Sequence, residues 1–419
     1  MSNKTLVIIG NRMTCNRVME ELGSAQPFHT IHVLSDENLA HYNRIMLSPL
    51  LAGETTLKAI TPHDTDWYEE HRVRIHLNTQ VESVDTNAHR VICEDGSEFP
   101  YSALIIATGS RSFIPHMNGS DASNVIGFRT MTDVDAMMNT LPSMKHATVI
   151  GAGLLGVEAA VGLRTHGVNV TLIHRNPVLM NRQLDAVASD LLEEELIRRG
   201  IDVKSGCNPD SMTSELINGQ NVVTSVHVNI EGKEQTLPTD LVVFSTGITP
   251  NKEIAQVSGI DCGRGIRVDA LMRTSAADVY SLGECCEFAG NTYGLVAPIW
   301  DQAKVLAKLL NTEYASSGDS ASELPAYEER QHLTKLKVSG VDIHSIGQYE
   351  ADADTDVLEL LDKSAGIYRK VLLKNNRVAG ALFVGDVTDS SWYHELMSEQ
   401  TDVSPFRAAL IFGKIAEEG

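Results

Sequence analysis

Gly151, Gly153 and Gly156 stand in the pattern Gly-x-Gly-x-x-Gly, directly after the apolar run ATVI (147–150) and at the start of the helical pattern LLGVEAA (154–160). That placement is the one a dinucleotide fingerprint needs. The first glycine permits the tight turn and the second lets a pyrophosphate approach the backbone. The third allows helix and strand to pack closely, while the helix N-terminus favours the phosphate charge. Leu154 and Leu155 belong to the same loop and first turn. About twenty residues on, the strand VNVTLIHRN (168–176) ends in His174, Arg175 and Asn176, where an acidic residue would hydrogen-bond the 2′-hydroxyl of an NADH ribose. A basic residue there tolerates or favours the 2′-phosphate of NADPH, unless Arg175 is merely solvated.

A second strand–glycine–helix opening lies at 5–15, TLVIIGNRMTC. It keeps only the first glycine, Gly10. Arg12 stands where a pyrophosphate would graze the backbone and Cys15 where the helix would pack on the strand. Two readings compete. In one the site survives, with the Arg12 guanidinium turned outward or paired with phosphate. In the other it is degraded and flavin binding is weak or lost. Asp36 and Glu37, at the end of the following strand IHVLSDE (31–37), suit an adenosine ribose, and Gly283-Glu284 completes the features expected of an FAD site.

These residues need two βαβ units to position them. Two such units about 140 residues apart imply tandem dinucleotide-binding domains. ALIIATGS (103–110) and DLVVFSTGITPN (240–251) are strands ending in Thr-Gly, at Thr108-Gly109 and at Thr246-Gly247. They close the two nucleotide domains. PIWDQAKVLAKLLN (298–311) reads as a helix starting at Pro298. The segment 314–329 has the composition of a linker. Beyond it a compact α/β domain is expected, with a hairpin turn at KNNRVAG (374–380). The boundaries expected are 1–115 with 244–325 for an FAD domain, 116–243 for an NAD(P) domain and 326–419 for a C-terminal interface domain.

Composition narrows the function further. The chain has 419 residues, enough for two or three domains, and 42% hydrophobic and 21% charged residues, as in ordinary globular proteins. A formal net charge of −21 argues against nucleic acid and anionic membranes as partners. No apolar run is long enough for a membrane span and no signal peptide precedes the first strand, so a cytoplasmic protein is expected. None of the six cysteines has the Cys-x-x-Cys spacing of a zinc or iron–sulfur site, and no histidine cluster suggests a metal. His41, beside Tyr42, reads as loop. No Cys-x₄-Cys pair follows the first helix, which excludes disulfide-reductase chemistry.

In this order the motifs resemble the FAD/NAD(P)-dependent pyridine nucleotide reductases of the glutathione-reductase-type fold. Within them the chain is similar to the flavoprotein portion of assimilatory NAD(P)H nitrite reductases and to electron-transfer subunits of assimilatory nitrate reductases. HYNRIMLSPLLAGE (41–54), LMNRQLD (179–185), RGIRVDALMRTSAADVYSLGEC (264–285), YGLVAPIWDQAKVLA (293–307), LTKLKVSGVDIHSIG (333–347) and the tail at 385–413 carry the resemblance over nearly the whole chain. It implies that Arg44 and Ser48 lie near FAD, that Thr108 and Gly109 line its site and that Glu284 meets its ribitol or a phosphate. Pro298, Ile299 and Trp300 would approach the flavin ring, and Glu158 the nicotinamide amide. Glu158 also reads as an ordinary first-turn acid and Trp300 as core. Some ferredoxin- and rubredoxin-reducing relatives have Lys after the Leu-Ser pair. Pro49 here fits the nitrite-reductase branch better. No iron–sulfur or sirohaem region follows, so nitrite reduction by this chain alone is not expected.

The resemblance implies an NAD(P)H-dependent flavoprotein oxidoreductase passing electrons to a separate acceptor in nitrate or nitrite assimilation. A rubredoxin or ferredoxin reductase is the alternative, and a non-catalytic subunit with an impaired FAD site is the third. A homodimer or a heteromer is compatible with each.

Overall fold

The computed structural model describes residues 4–315, 324, 326–329, 333–338 and 341–414. Most of the 314–329 segment read as a linker lies outside them. The chain divides into two compact units, Met1–Met46 with Thr55–Arg111 and Ile248–Arg330, and Leu47–Glu54 with Ser112–Gly247 and Gln331–Gly419.

The first unit is built on a five-stranded parallel sheet in the order Val279–Ser281, Ala103–Ile106, Thr5–Ile9, Thr30–Leu34, Val73–His76. Its central strands are continuous apolar runs because both faces are covered. The helices Met13–Leu22 and Val296–Glu313 pack on one face around Leu6, Ile8, Val18 and Leu306. On the other, Val7, Ile9, Leu104 and Ile106 meet an antiparallel meander of residues 81–100.

The second unit repeats the plan. Its parallel sheet runs Ile201–Ser205, Asn169–His174, His146–Ile150, Leu241–Phe244, Val125–Gly127. The helix Leu154–Thr165 follows the central strand, as Met13–Leu22 does in the first unit. This unit also holds the C-terminal domain. There a five-stranded antiparallel sheet, Leu333–Val338, Val341–Gly347, Arg377–Val384, Ile367–Lys374, Asp356–Asp362, carries the helix Ser390–Ser398. The expected hairpin turn is present, with Asn375 and Asn376 both at positive φ.

One boundary differs from the sequence reading. The helix expected from Pro298 begins at Val296, so Pro298 is its third residue. Amide groups in a first turn have no intrahelical partner, and a proline there costs the helix nothing. Among the described residues, no helix is long and apolar enough to cross a membrane.

Candidate functional site: two nucleotide cradles

The two fingerprint loops have the same backbone. Gly10 has φ +101° and Gly151 φ +106°, and a side chain on either would collide with a carbonyl of the neighbouring strand, that of Ala107 or that of Ser245. The amides of Gly10 and Gly151 donate to the carbonyls of Leu34 and Ile173, at 2.8 Å in both loops. Each helix is then capped by an extended residue, Arg12 at φ −103°, ψ −178° and Gly153 at φ −77°, ψ −178°. Arginine adopts that conformation without strain, so the loop retains its shape in spite of the substitution.

The space inside the loops differs. A Cβ on Gly153 would meet nothing within 4 Å, leaving an open cradle at the helix N-terminus. Leu154 and Leu155 are half-buried beside it. Gly156 is pressed so closely against the Gly151 carbonyl that only a hydrogen fits. At the equivalent place in the first unit, Cys15 is fully buried in the helix–sheet core, and burial pushes its thiol pKa up. Cys15 is therefore a packing residue.

Arg12 fills its own cradle. Its aliphatic stem lies against Gly109, where a Cβ would come within 2.9 Å of Arg12 Cδ. Its Nη1 donates to the Ser110 carbonyl at 3.0 Å, and Nη2 lies 3.9 Å from both Asp36 and Glu37. Glu37 is also bonded by Arg44 and by the Tyr42 hydroxyl. Burial opposes its ionisation, but these partners outweigh burial and lower its pKa. Asp36 is exposed.

Thr108 and Gly109 are held by a residue that the sequence reading passed over. The Thr108 hydroxyl donates to the Asn251 carbonyl at 2.6 Å, the Asn251 side chain returns a bond to Thr108, and the Asn251 amide donates to Gly109. Glu284 accepts from the Ser110 hydroxyl at 2.9 Å, and Gly283 fits against Thr14 of the first helix. Ile299 is buried in the core of the first unit, so its side chain is committed to packing. Pro298 is half-buried. Trp300 is 40% exposed, with the Arg17 guanidinium 5.3 Å from its ring centroid, so it is not core.

Two further residues of the first unit are buried beside the loop, a feature their types and spacing do not announce. Asn11, between Gly10 and Arg12, is buried with neither amide atom partnered. His41 lies in a loop, as expected, and is buried against the same backbone. Burial and Arg44 lower its pKa to about 4, against a backbone hydrogen bond to Asn11, so the ring is neutral. Burial of the loop is not visible in a single sequence. The one available signal was the position of Asn11 inside the fingerprint.

Ser48 and Glu158 form a pair in the second unit. The short helix Leu47–Leu51 packs on the fingerprint helix, where Gly162 leaves room for Leu51 and His166 bonds the Leu51 carbonyl at 2.6 Å. Glu158 is one turn before Gly162 on the same face. Its carboxyl therefore meets the Ser48 hydroxyl in a hydrogen bond. Burial raises its pKa to about 7, with the Ser48 bond acting in the opposite direction. Gly247 is exposed at φ +127° and accepts a bond from the Phe113 amide. At the end of its strand His174 is buried and Arg175 exposed.

The cysteines, Cys15, Cys93, Cys207, Cys262, Cys285 and Cys286, are all free, and no metal-binding group of three or more His, Cys, Asp or Glu occurs among the described residues.

Comparison with known proteins agrees with this architecture. Residues 333–401 match the domain described as rubredoxin NAD+ reductase C-terminal domain. The chain is 37% identical over its whole length to half of a nitrite reductase [NAD(P)H] from Bacillus subtilis (strain 168). It is 36% identical, over 98% of its length, to 51% of an assimilatory nitrate reductase electron transfer subunit from the same organism. It thus spans about half the length of these relatives. A solved ferredoxin reductase from Rhodopseudomonas palustris shares the fold, with a TM-score of 0.84 at 22% identity, covering 99% of this chain and all of that one. With residues 4–305 matching the family described as pyridine nucleotide-disulphide oxidoreductase, the chain belongs to that family.

Proposed function

We propose that the chain is an NAD(P)H-dependent flavoprotein reductase, holding FAD in the first unit and NAD(P)H in the second and delivering electrons to a separate protein. The observation that carries this reading is the pair of parallel sheets whose fingerprint loops share turn, cap and hydrogen bond, both in one chain of this family.

The residues of the first unit fit FAD. Gly10 keeps the turn, Asn11 offers a buried amide with no protein partner, and Asp36 and Glu37 stand where an adenosine ribose would be bonded. Arg12 and Arg44 add cations beside the helix N-terminus, suited to a pyrophosphate. Thr108, Gly109, Asn251, Ser110 and Glu284 form one hydrogen-bonded shelf. In the second unit, Gly151, Gly153 and Gly156 shape the open cradle, and Glu158 with Ser48 is assigned to the nicotinamide amide. Bound FAD would supply the hydride-accepting and electron-releasing chemistry, while the residues of the chain contribute binding, orientation and charge.

The similarity of nearly the whole chain to about half of a nitrite reductase and of a nitrate reductase electron transfer subunit supports an acceptor in nitrate or nitrite assimilation. A rubredoxin or ferredoxin acceptor is the second reading, favoured by the match of the C-terminal domain. The free thiols suit a reducing compartment, the cytoplasm.

The test is the visible spectrum of purified protein. Flavin absorbance that bleaches with NADH or NADPH is expected. A colourless protein that gains no flavin on addition of FAD sinks the proposal and favours a non-catalytic subunit.

A further inference from the structure

We propose that the second unit selects NADPH over NADH, through Arg175 at the end of the strand Asn169–His174. This deepens the reading above and rests on its second cradle.

The chain contains its own control. Both loops have the same turn, cap and strand order, yet the residues after the second strand carry opposite charge. In the first unit they are Asp36 and Glu37. In the second they are His174, Arg175 and Asn176. Carboxylates at that place accept hydrogen bonds from ribose hydroxyls and repel a 2′-phosphate. The second unit has no carboxylate there. Ser205 pairs with His174 on the neighbouring strand, followed by Gly206, whose amide donates to the Asn176 carbonyl.

Arg175 is exposed and makes no hydrogen bond or ion pair among the described residues. In a chain with a net charge of −21, an arginine left without a carboxylate is placed to meet an anion from outside.

His174 supplies an independent observation. Its Nδ1 accepts from the Ala152 amide at 3.1 Å, inside the fingerprint loop. That bond puts the proton of the neutral ring on Nε2. Burial lowers the pKa, against a contribution from Asn181, and Arg175 lowers it further, so the ring stays neutral. His174 is over nine-tenths buried, with the Asn181 side chain and the Val178 backbone as its hydrogen-bonding neighbours beside the loop. A buried ring bonded to the fingerprint loop thus fixes the end of the strand from which the exposed cation projects.

The experiment compares binding of adenosine 2′,5′-bisphosphate and 5′-AMP to the full chain by calorimetry. The two probes differ only in the 2′-phosphate, and no flavin or turnover is needed. Wild type is expected to bind the bisphosphate at least roughly tenfold more tightly. Arg175→Ala should remove most of that difference and leave 5′-AMP affinity unchanged, and Arg175→Lys should restore part of it. Arg198→Ala, a charge control on an exposed helix end, should change neither. Equal affinity of wild type for the two probes, or an advantage that survives Arg175→Ala, overturns the selectivity proposal while leaving the cradle intact. If neither probe nor NADH binds, the cradle reading itself fails.

Discussion

Glu158 is a half-buried carboxyl with Ser48 as its polar partner. Its pKa rises from 4.5 to about 7, so the folded state holds the proton more tightly than the unfolded chain. The stability this gives is complete below about pH 4.5 and is lost as pH rises through 7, a difference of about 3 kcal/mol. Glu158→Gln removes the titration. It should stabilise the protein by about 2 kcal/mol near pH 8.5 and change little near pH 5, read by urea unfolding at the two values. An equal effect at both would show that the carboxyl is not buried as described. Arg12 makes a second residue-scale case. Arg12→Glu places a third carboxylate beside Asp36 and Glu37, and flavin should be lost on gel filtration. Arg12→Gly reopens the cradle and should retain flavin within about tenfold of wild type. Much tighter binding by the glycine variant would mark Arg12 as an obstruction. Residue types suggested these roles, but Asn11, His41 and Asn251 emerged only with the fold. Their importance lies in burial and in partners distant in sequence, which no local pattern encodes.

At the scale of elements, the strand–glycine–helix openings were legible because local chemistry dictates them. An apolar run covered on both faces, a residue forced to positive φ and a helical period all occur within fifteen residues. The short helix Leu47–Leu51 was not legible as an element. It is too short to have a period, and it is held by packing on Gly162 and by the bond from His166 to Leu51. The Ile299 side chain packs in the core of the first unit. A helical pattern identifies an apolar face without saying whether it meets core or ligand. The third fingerprint glycine permits a sharper prediction. A methyl on Gly156 has no space beside the Gly151 carbonyl, so Gly156→Ala must push the helix away from its strand. A loss of about 3 kcal/mol or more is expected, together with loss of adenosine bisphosphate binding. Cys15→Gly, at the matching position of the first unit, should cost about 1–2 kcal/mol, by emptying a small packed volume. If Gly156→Ala melted like wild type, the close approach would be wrong.

For the whole molecule, the governing quantity is charge. The C-terminal sheet is tied to the nucleotide-binding part of the second unit by Asp185, which caps the helix Ala186–Arg198 and also binds Lys370 and the Tyr368 hydroxyl. Such internal pairs are shielded by protein and respond little to salt. The surface differs, because 55 acidic residues face 34 basic ones, and like charges repel more strongly when the chain is compact. Raising ionic strength from roughly 0.01 M to 0.5 M shortens the Debye length from about 30 Å to about 4 Å and removes most of this repulsion. The melting temperature should therefore rise by a few degrees with sodium chloride, most steeply at the low end. The same screening should weaken 2′-phosphate recognition by the exposed Arg175. Stability and nucleotide affinity are thus expected to move in opposite directions along one salt series, measured by calorimetry in the same buffers. A melting temperature that falls with salt would mean that attractive surface pairs outweigh the excess of acid.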